Sequence, residues 1–476
     1  MSGRLRSWGL IGIGLIAGVS ISYGVTAYAF RDSRAIPIEE LREFTDVFGA
    51  IKANYVEPVE DKKLLQEAIS GMLSGLDPHS AFLDGDAYRD LQIGTQGEFG
   101  GLGIEVGSED GAIKVIAPID DTPAARAGIH AGDVIIKIDE KFTRGMSLSD
   151  AIKLMRGKPQ TPITLTLARK GEAQPVEVKI IRDIIRVQSV KSHMIEPGYG
   201  FVRITQFQDR TTEDLVKQIN QLYKAGPLKG LVLDLRNDPG GVLNGAVGVT
   251  AVFLPRDALV VSTEGRTEDA HRRFVAAPSD YLRGSGDDPL THLPAEVKTV
   301  PMVILVNGAS ASASEIVAGA LQDHKRAKLI GTQTFGKGSV QSVIQIRNDR
   351  ENPAAIKLTT ARYFTPSGRS IQAQGIVPDL LVDDTAEGNF AGLSVREADL
   401  AHHLVNTGTG ASEKASSEKA EKAAEETEPH APASAHRYEF GSAEDFQLQQ
   451  AMHFFKGLPV ETAKAHDKVA ASENSE

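Results

Sequence analysis

The chain has 476 residues, of which 41% are apolar, and this is enough for two or three domains with buried cores. Its net charge of −11 and the absence of a basic stripe argue against nucleic-acid binding as its main activity. Cysteine is absent, which excludes disulfide bonds, thiol catalysis and zinc–thiolate sites.

An apolar run near the beginning of the chain predicts a membrane segment. Residues 8–30 carry no charged side chain, and a helix at ~1.5 Å per residue would cross a ~30 Å hydrocarbon core. Arg4 and Arg6 precede the run and predict that the remainder of the chain lies outside the cytoplasm. A cleavable signal peptide is the alternative, because residues 27–29, Ala-Tyr-Ala, fit a small-x-small cleavage site. We favour an uncleaved anchor because the run is longer than a usual signal core.

Changes in composition and periodicity divide the chain into segments. The chain first shows helical spacing of apolar residues and then short strand-like runs. Alternating strands and helices come next, followed by a stretch rich in Ala, Ser, Glu and Lys. The predicted segments are an anchor or signal segment (1–35), a helical region (36–95), a compact β-rich domain (96–184), an α/β core (185–386), a flexible linker (387–437) and a terminal helix with a tail (438–476).

The stretch "SASASE", residues 310–315, lies between a buried-strand pattern and a helical pattern. Enzymes with α/β folds often place a nucleophile on such a turn, because the free N–H groups at the helix start can stabilise an oxyanion. The alternative is structural, since Ser312 and Glu315 also fit a capping box. Taken alone, the pattern favours capping, and catalysis requires a base.

A lysine is the base that the sequence offers. His324 lies 12 residues beyond Ser312, about 18 Å away on a continuous helix, which is outside hydrogen-bond reach. Lys337 lies between two glycines in "TFGKGSVQ", where burial would favour the neutral amine. Strand alternation would place Gln341 on the same face, where it could orient the amine. An ordinary turn lysine remains the alternative.

A glycine pair supplies a third element. "LDLRNDPGG" predicts that a buried strand ends before Pro239 and that Gly240 and Gly241 begin the next helix. The N–H groups at that helix start could form half of an oxyanion hole. A tight strand-to-helix turn with no catalytic role is the alternative.

Five stretches in this order resemble the C-terminal processing peptidases, also called tail-specific proteases. They are "GGLGIEV", "TPAARAGIHAGDVIIKID", "LDLRNDPGG", "SASASEIVAGALQD" and "TFGKGSVQ", and the resemblance covers about residues 36–385. It implies an α/β fold, namely a crotonase-like α/β protease core with N-terminal helices and an inserted PDZ domain.

The resemblance also implies roles for individual residues. Ser312 is expected to be the nucleophile and Lys337 the general base, with Gln341 supporting the lysine. Neither a metal nor an organic cofactor is expected.

The PDZ domain is expected to bind the end of a polypeptide. The backbone N–H groups of Leu102, Gly103 and Ile104 would hold a terminal carboxylate, and the peptide would add as a strand to the sheet. Arg156 matches a family position linked to placing this domain over the active site.

We therefore predict a serine endopeptidase of the bacterial cell envelope, on the periplasmic side and anchored to the inner membrane. Gly240 or Gly241, with Ala313, would stabilise the oxyanion. The expected partners are polypeptides with free C-termini and the membrane. A homo-oligomer and an adaptor protein are compatible with this prediction, and no nucleic acid is expected. The alternative is a membrane-tethered PDZ scaffold with an inactive protease core.

Overall fold

A computed structural model describes residues 37–109, 111–119, 121–172, 174–284, 286–349, 353–386, 388–389, 395–406 and 439–462. The contacts divide the chain into two units, Met1–Gly71 and Met72–Glu476. The predicted membrane segment, residues 8–30, and most of the predicted linker lie outside these residues. Among the helices that are described, none is long and apolar enough to cross a membrane.

The described residues of the N-terminal unit form helices. α1 (Ile38–Asn54) starts after Pro37 and carries two glutamates in its first turn, which suits the positive end of the helix dipole. Leu41, Phe44 and Val47 recur at helical spacing and are exposed. α2 (Asp61–Ser74) starts in this unit and ends just beyond its boundary.

The predicted PDZ region is an antiparallel β module. It is preceded by β1 (Ala81–Leu83), α3 (Gly85–Gln96) and β2 (Glu98–Gly101). The module contains β3 (Ile104–Glu109), β4 (Ala112–Pro118), α4 (Pro123–Arg126), β5 (Val134–Ile138), β6 (Lys141–Phe142), α5 (Leu148–Met155), β7 (Pro162–Ala168) and β8 (Val176–Ile181). β9 (Asp183–Arg186) then pairs antiparallel with β2, so the chain enters and leaves the module at neighbouring strands.

Strands and helices alternate through the remaining core. In chain order they are β10 (Val190–Glu196), β11 (Tyr199–Ile204), α6 (Thr211–Lys224), β12 (Gly230–Asp234), α7 (Leu243–Phe253), β13 (Leu259–Gly265), β14 (Arg272–Val275), α8 (Pro278–Tyr281), β15 (Met302–Val306), α9 (Ala313–Asp323), β16 (Lys328–Gly331), β17 (Ser339–Arg347), β18 (Ala354–Phe364), β19 (Leu380–Leu381) and α10 (Phe446–Phe455).

A six-stranded sheet forms the centre, in the order β10-β11-β12-β15-β16-β19, and all of its pairs except β10–β11 are parallel. Every residue of β12 and β15 is buried, as expected for parallel strands covered on both faces. Residues of α6, α7 and α9 pack on one face, and α10 packs on the other. The carboxyl ends of β12 and β15 both lead into the predicted catalytic turns.

A second sheet supports the lysine loop. β18 pairs with β17 along one edge and with β1 and β13 along the other, and β14 continues the sheet beyond β13. Because β1 pairs with residues 355–357, the turn that precedes β1 lies close to β18.

Candidate active site

Two strand-end turns are joined by hydrogen bonds at the edge of the central sheet. Asn307 Nδ2 donates to Asn237 Oδ1 at 2.7 Å, and Asn237 N donates to Asn307 Oδ1 at 3.0 Å. The backbone N–H of Ala311 donates to the Asp238 carbonyl at 3.0 Å. The turn after β12 therefore lies directly against the turn that carries the three serines.

The three serines of this turn have different environments. Ser310 and Ser314 are buried, and their hydroxyls donate to the carbonyls of Leu235 at 2.8 Å and Asp238 at 3.0 Å. Ser312 is partly exposed and caps α9 with φ 54° and ψ −110°, a conformation that non-glycine residues rarely adopt. Strained positions of this kind cluster at nucleophile turns. Ser310 and Ser314 fix the turn, and Ser312 is the serine at its accessible apex.

A single buried carboxylate joins the serine turn to the lysine loop. Glu315 Oε2 accepts hydrogen bonds from the backbone nitrogens of Ser312 at 2.8 Å and Lys337 at 2.9 Å. Its Oε1 accepts from Thr334 Oγ1 at 2.6 Å and Gly336 N at 2.7 Å. Burial raises the pKa of Glu315 to about 7, although these four donors oppose that shift. The capping box thus predicted the bond from Ser312 N to Glu315 but not the bonds from the lysine loop to the same carboxylate.

Lys337 lies in an environment that favours its neutral form. Burial lowers the pKa of its amine below the ordinary lysine value, and the charge of Lys357 acts in the same direction. The charges of Glu397, Glu315 and Asp77 raise that pKa. No hydrogen bond joins Lys337 Nζ to Ser312 within the described chain, so their shared contact is through Glu315.

Gln341 lies in β17 of the second sheet. Its Nε2 donates to Ser339 Oγ at 3.0 Å and to Thr359 Oγ1 at 3.2 Å. β17 begins at Ser339, after Lys337, and its register shifts between Val340 and Gln341. The expected strand alternation therefore does not extend to Lys337, and the support of Gln341 for the lysine stays a prediction.

The glycine pair precedes helix α7, which begins at Leu243, instead of starting it as expected. A Cβ atom on Gly240 would lie 2.8 Å from Ala313 N, so the glycine is in close contact with the serine turn. In this structure Gly240 N donates to Asp238 Oδ1 at 2.9 Å. For Gly241 N and Ala313 N no hydrogen-bond acceptor is found in the part of the chain that is described. These two N–H groups are the ones available to an oxyanion.

Asp238 is a functional candidate that the sequence analysis did not identify. Its side chain is fully buried, and burial raises its pKa to about 8. Oδ1 accepts from Gly240 N, whereas Oδ2 has no partner among the residues described. In the "NDPGG" turn the glycines indicate an oxyanion hole, whereas no sequence pattern distinguishes Asp238 from an ordinary turn aspartate.

The predicted peptide-binding loop lines an apolar groove. The Leu102 and Gly103 carbonyls accept from Ala124 N and Ile119 N, both at 2.9 Å, whereas the N–H groups of Leu102 and Gly103 have no acceptor within the described ranges. The groove encloses a cavity of ≈ 170 Å³ lined by Phe99, Gly101, Leu102, Gly103, Ile104, Val106, Ile152, Met155 and Arg156.

Arg156 lies at the end of α5, beside this groove. Its guanidinium lies 4.9 Å from the centre of the Phe99 ring, and its Nη1 donates to Asp90 Oδ1 at 2.9 Å. Since Asp90 belongs to α3, Arg156 connects the groove to the segment that precedes the module.

Comparisons with known proteins add independent findings. The model of peptidase family S41 matches residues 198–382, a PDZ domain model matches 100–180, and the model named activating protease CtpB N-terminal domain matches 25–87.

Full-length relatives match most of the chain. A carboxy-terminal-processing protease of Bartonella bacilliformis is 44% identical over 397 residues, which are 82% of this chain and 87% of the relative. A probable CtpA-like serine protease of Staphylococcus aureus is 34% identical over 389 residues, 80% of this chain and 73% of the relative. Among solved structures, a photosystem II D1 C-terminal processing protease matches with 30% identity and a TM-score of 0.38, covering 68% of this chain and 83% of that one.

Proposed function

Because the chain belongs to peptidase family S41 and is a serine-type peptidase with a PDZ domain, we propose that it cuts polypeptides near their C-terminal tails, using Ser312 and Lys337. The matches to the S41 and PDZ models and to the carboxy-terminal-processing protease confirm three predictions: the family, the enzyme class and the α/β protease fold with an inserted PDZ domain. The observation that carries the proposed catalytic pair is the Glu315 carboxylate, which binds the backbone N–H groups of both residues.

The proposed reaction follows the chemistry of acyl transfer. Ser312 Oγ attacks the peptide carbonyl while the neutral amine of Lys337 takes the hydroxyl proton. The N–H groups of Ala313 and Gly241, which have no acceptor among the described residues, stabilise the oxyanion. The lysine ammonium then donates its proton to the leaving amine, and water hydrolyses the acyl-enzyme by the same route.

Purified full-length protein and a disordered test protein provide the decisive experiment. We expect neither Ser312→Ala nor Lys337→Arg to produce the new termini that mass spectrometry detects with the wild type, while the melting curves stay similar. Ser312→Ala lacks the nucleophile, and Lys337→Arg lacks a base because a guanidinium remains protonated. Lys357→Arg is the matched control and should remain active. Near-normal turnover by Lys337→Arg would remove the lysine from the mechanism, and activity of Ser312→Ala would remove the serine.

We further propose that the groove beside Leu102, Gly103 and Ile104 binds the free carboxylate of the substrate, near Arg156. The unbonded N–H groups of Leu102 and Gly103 support this, because a carboxylate accepts hydrogen bonds roughly twice as strong as those of a neutral amide. Peptides that differ only in a free or amidated C-terminus test the proposal. The free acid should be cut faster, and equal rates would contradict tail recognition.

The proposed location is the periplasmic side of a bacterial inner membrane. The support is the uncharged run of residues 8–30 behind Arg4 and Arg6. In intact spheroplasts, an added protease should then degrade the catalytic unit, whereas protection until lysis would contradict this orientation.

A further inference from the structure

A buried chain of hydrogen bonds runs from the turn before β1 to the lysine loop. His79 Nε2 lies 2.7 Å from Glu397 Oε2, and these side chains are 15% and 1% exposed. Glu397 Oε1 accepts from Gln372 Nε2 at 2.8 Å, and Gln372 Oε1 accepts from Gly338 N at 3.1 Å. The chain therefore ends on the residue next to Lys337.

The backbone of Glu397 also binds the lysine loop, on the N-terminal side of Lys337. Glu397 N donates to the Phe335 carbonyl at 3.0 Å, two residues before Lys337. On the other side, Gly338 is so close to Gln372 that a Cβ atom would lie 2.3 Å from the Gln372 nitrogen. The loop is thus held on both sides of the lysine, at Phe335 and at Gly338.

A second branch of the turn leads to Gln341. Thr359 Oγ1 donates to Asp77 Oδ1 at 3.1 Å, and Thr359 N donates to Ser80 Oγ at 3.1 Å. Gln341 Nε2 in turn donates to Thr359 Oγ1 at 3.2 Å. One turn, residues 77–80, is therefore linked to the lysine loop through Glu397 and Gln372, and to Gln341 through Thr359.

We propose that His79 and Glu397 are positioning residues that fix Lys337 through Gln372 and through the backbone of Phe335 and Gly338. This inference rests on the proposed serine–lysine chemistry. A buried carboxylate needs its hydrogen-bond partners, so loss of His79 would leave Glu397 incompletely paired and loosen the loop. A displacement of about 1 Å at a catalytic group can cost about 100-fold in rate.

The charges around Lys337 give the proposal a signature that a purely structural role lacks. Besides burial, Lys357 lowers the pKa of Lys337, whereas Glu397, Glu315 and Asp77 raise it. An N–H donated by His79 weakens the field of Glu397 at the lysine. Removal of His79 should therefore move the pH midpoint of activity upward, and removal of the Glu397 charge should move it downward.

The experiment measures kcat, KM, the pH profile and the melting temperature of full-length variants on one peptide. For His79→Ala we expect kcat to fall about 10- to 100-fold with KM within about twofold, together with a higher pH midpoint. His79→Gln, whose amide can donate to Glu397, should recover most of kcat. His324→Ala is the matched control, since it also loses a ring hydrogen bond of 2.7 Å, to the Leu259 carbonyl, and its kcat should stay within about twofold of wild type.

The outcomes separate this inference from the catalytic pair. An unchanged kcat and pH midpoint in His79→Ala, with Lys337→Arg inactive, would overturn the positioning role and leave the pair intact. An active Lys337→Arg would overturn the pair itself. If His79→Ala does not fold, Glu397→Gln replaces it, and an unchanged pH midpoint in that variant would overturn the inference.

Discussion

Glu315 is a buried carboxylate whose four hydrogen-bond donors come from both sides of the proposed catalytic pair. Two of them, the N–H groups of Ser312 and Lys337, share one oxygen atom. The backbone of the nucleophile cannot move away from the lysine loop without breaking at least one of these bonds. Glu315 thus fixes the relative position of two segments that lie far apart in the sequence.

Replacing Glu315 with Gln should lower both activity and stability. The amide has one acceptor oxygen, so its NH₂ group would face N–H donors that now bind a carboxylate. We expect kcat to fall at least about 10-fold and the free energy of unfolding to fall by about 1–3 kcal/mol. Peptide kinetics and urea unfolding measure these effects, and the exposed Glu264→Gln is the control. Wild-type kcat in Glu315→Gln would contradict the bridging role.

Asp238 should make the stability of the fold depend on pH. Burial raises its folded-state pKa from 3.8 to about 8, so the unfolded chain releases this proton at a lower pH than the folded chain does. The contribution of Asp238 to stability is therefore complete below about pH 4 and is lost as the pH rises through about 8. Glu315, with a pKa raised to about 7, changes stability in the same direction.

Asp238→Asn should remove the first of these two contributions. In a Ser312→Ala background, which prevents self-cleavage, we expect the stability of Asp238→Asn relative to Asp238 to grow by about 4 kcal/mol between pH 5 and pH 9. The measurement is urea unfolding at several pH values. Parallel stability curves for the two proteins would show that Asp238 does not titrate in this range.

Among structural elements, the turn that joins β12 to α7 is built against the turn that joins β15 to α9. Gly240 has φ +96°, and a Cβ atom there would lie 2.7 Å from the Ala311 carbonyl oxygen and 2.8 Å from Ala313 N. The absence of a side chain at this position therefore allows the two turns to touch. Their contact places the candidate oxyanion donors beside Ser312.

Gly240→Ala should separate these turns and impair catalysis. We expect kcat to fall about 10²- to 10³-fold, the usual effect of losing one oxyanion-hole donor. Gly284→Ala is the matched control because that glycine has φ +84° and open space around its Cβ position. If both variants lose the same activity, the backbone conformation alone, and not the contact with the serine turn, explains the loss.

Local patterns predicted the elements of the core but not the contacts between them. The apolar run before Asn307 is β15, which is buried along its whole length, and the helical spacing of apolar residues after Ser312 is α9. The bond from Glu315 to Lys337 spans 22 residues and that from His79 to Glu397 spans 318 residues. No local period records such contacts, so the sequence around His79 does not indicate that this histidine is bonded to Glu397.

For the molecule as a whole, helix α10 closes the face of the central sheet opposite α9. The fully buried Arg236 connects it to the core, donating to Asp445 Oδ1 at 2.8 Å and Oδ2 at 2.5 Å and also binding Asp234. Burial raises the pKa of Asp234, but the charge of Arg236, its hydrogen bonds and the charge of Arg203 together hold that pKa below its ordinary value. The terminal helix is therefore a constituent of the catalytic unit.

Asp445→Ala should destabilise this unit strongly. Removing one partner of a buried ion pair leaves an uncompensated charge, and we expect the free energy of unfolding to fall by about 3–5 kcal/mol. Lys456→Ala removes an exposed pair with Glu196 at the end of the same helix and should cost no more than about 1 kcal/mol. Urea unfolding measures both, and equal losses would contradict the role of the buried pair.

The pairing of β2 with β9 has a consequence for how such a protein can diversify. Glu98 pairs with Arg186 and Gly101 with Asp183, so the two junctions of the inserted module are neighbours in one ladder. We therefore expect a different module whose own ends are close together to be accommodated at these positions without changing the strands of the core. The proposed tail-binding groove and the proposed catalytic pair therefore belong to separate segments of one chain, which meet only at this ladder in sequence.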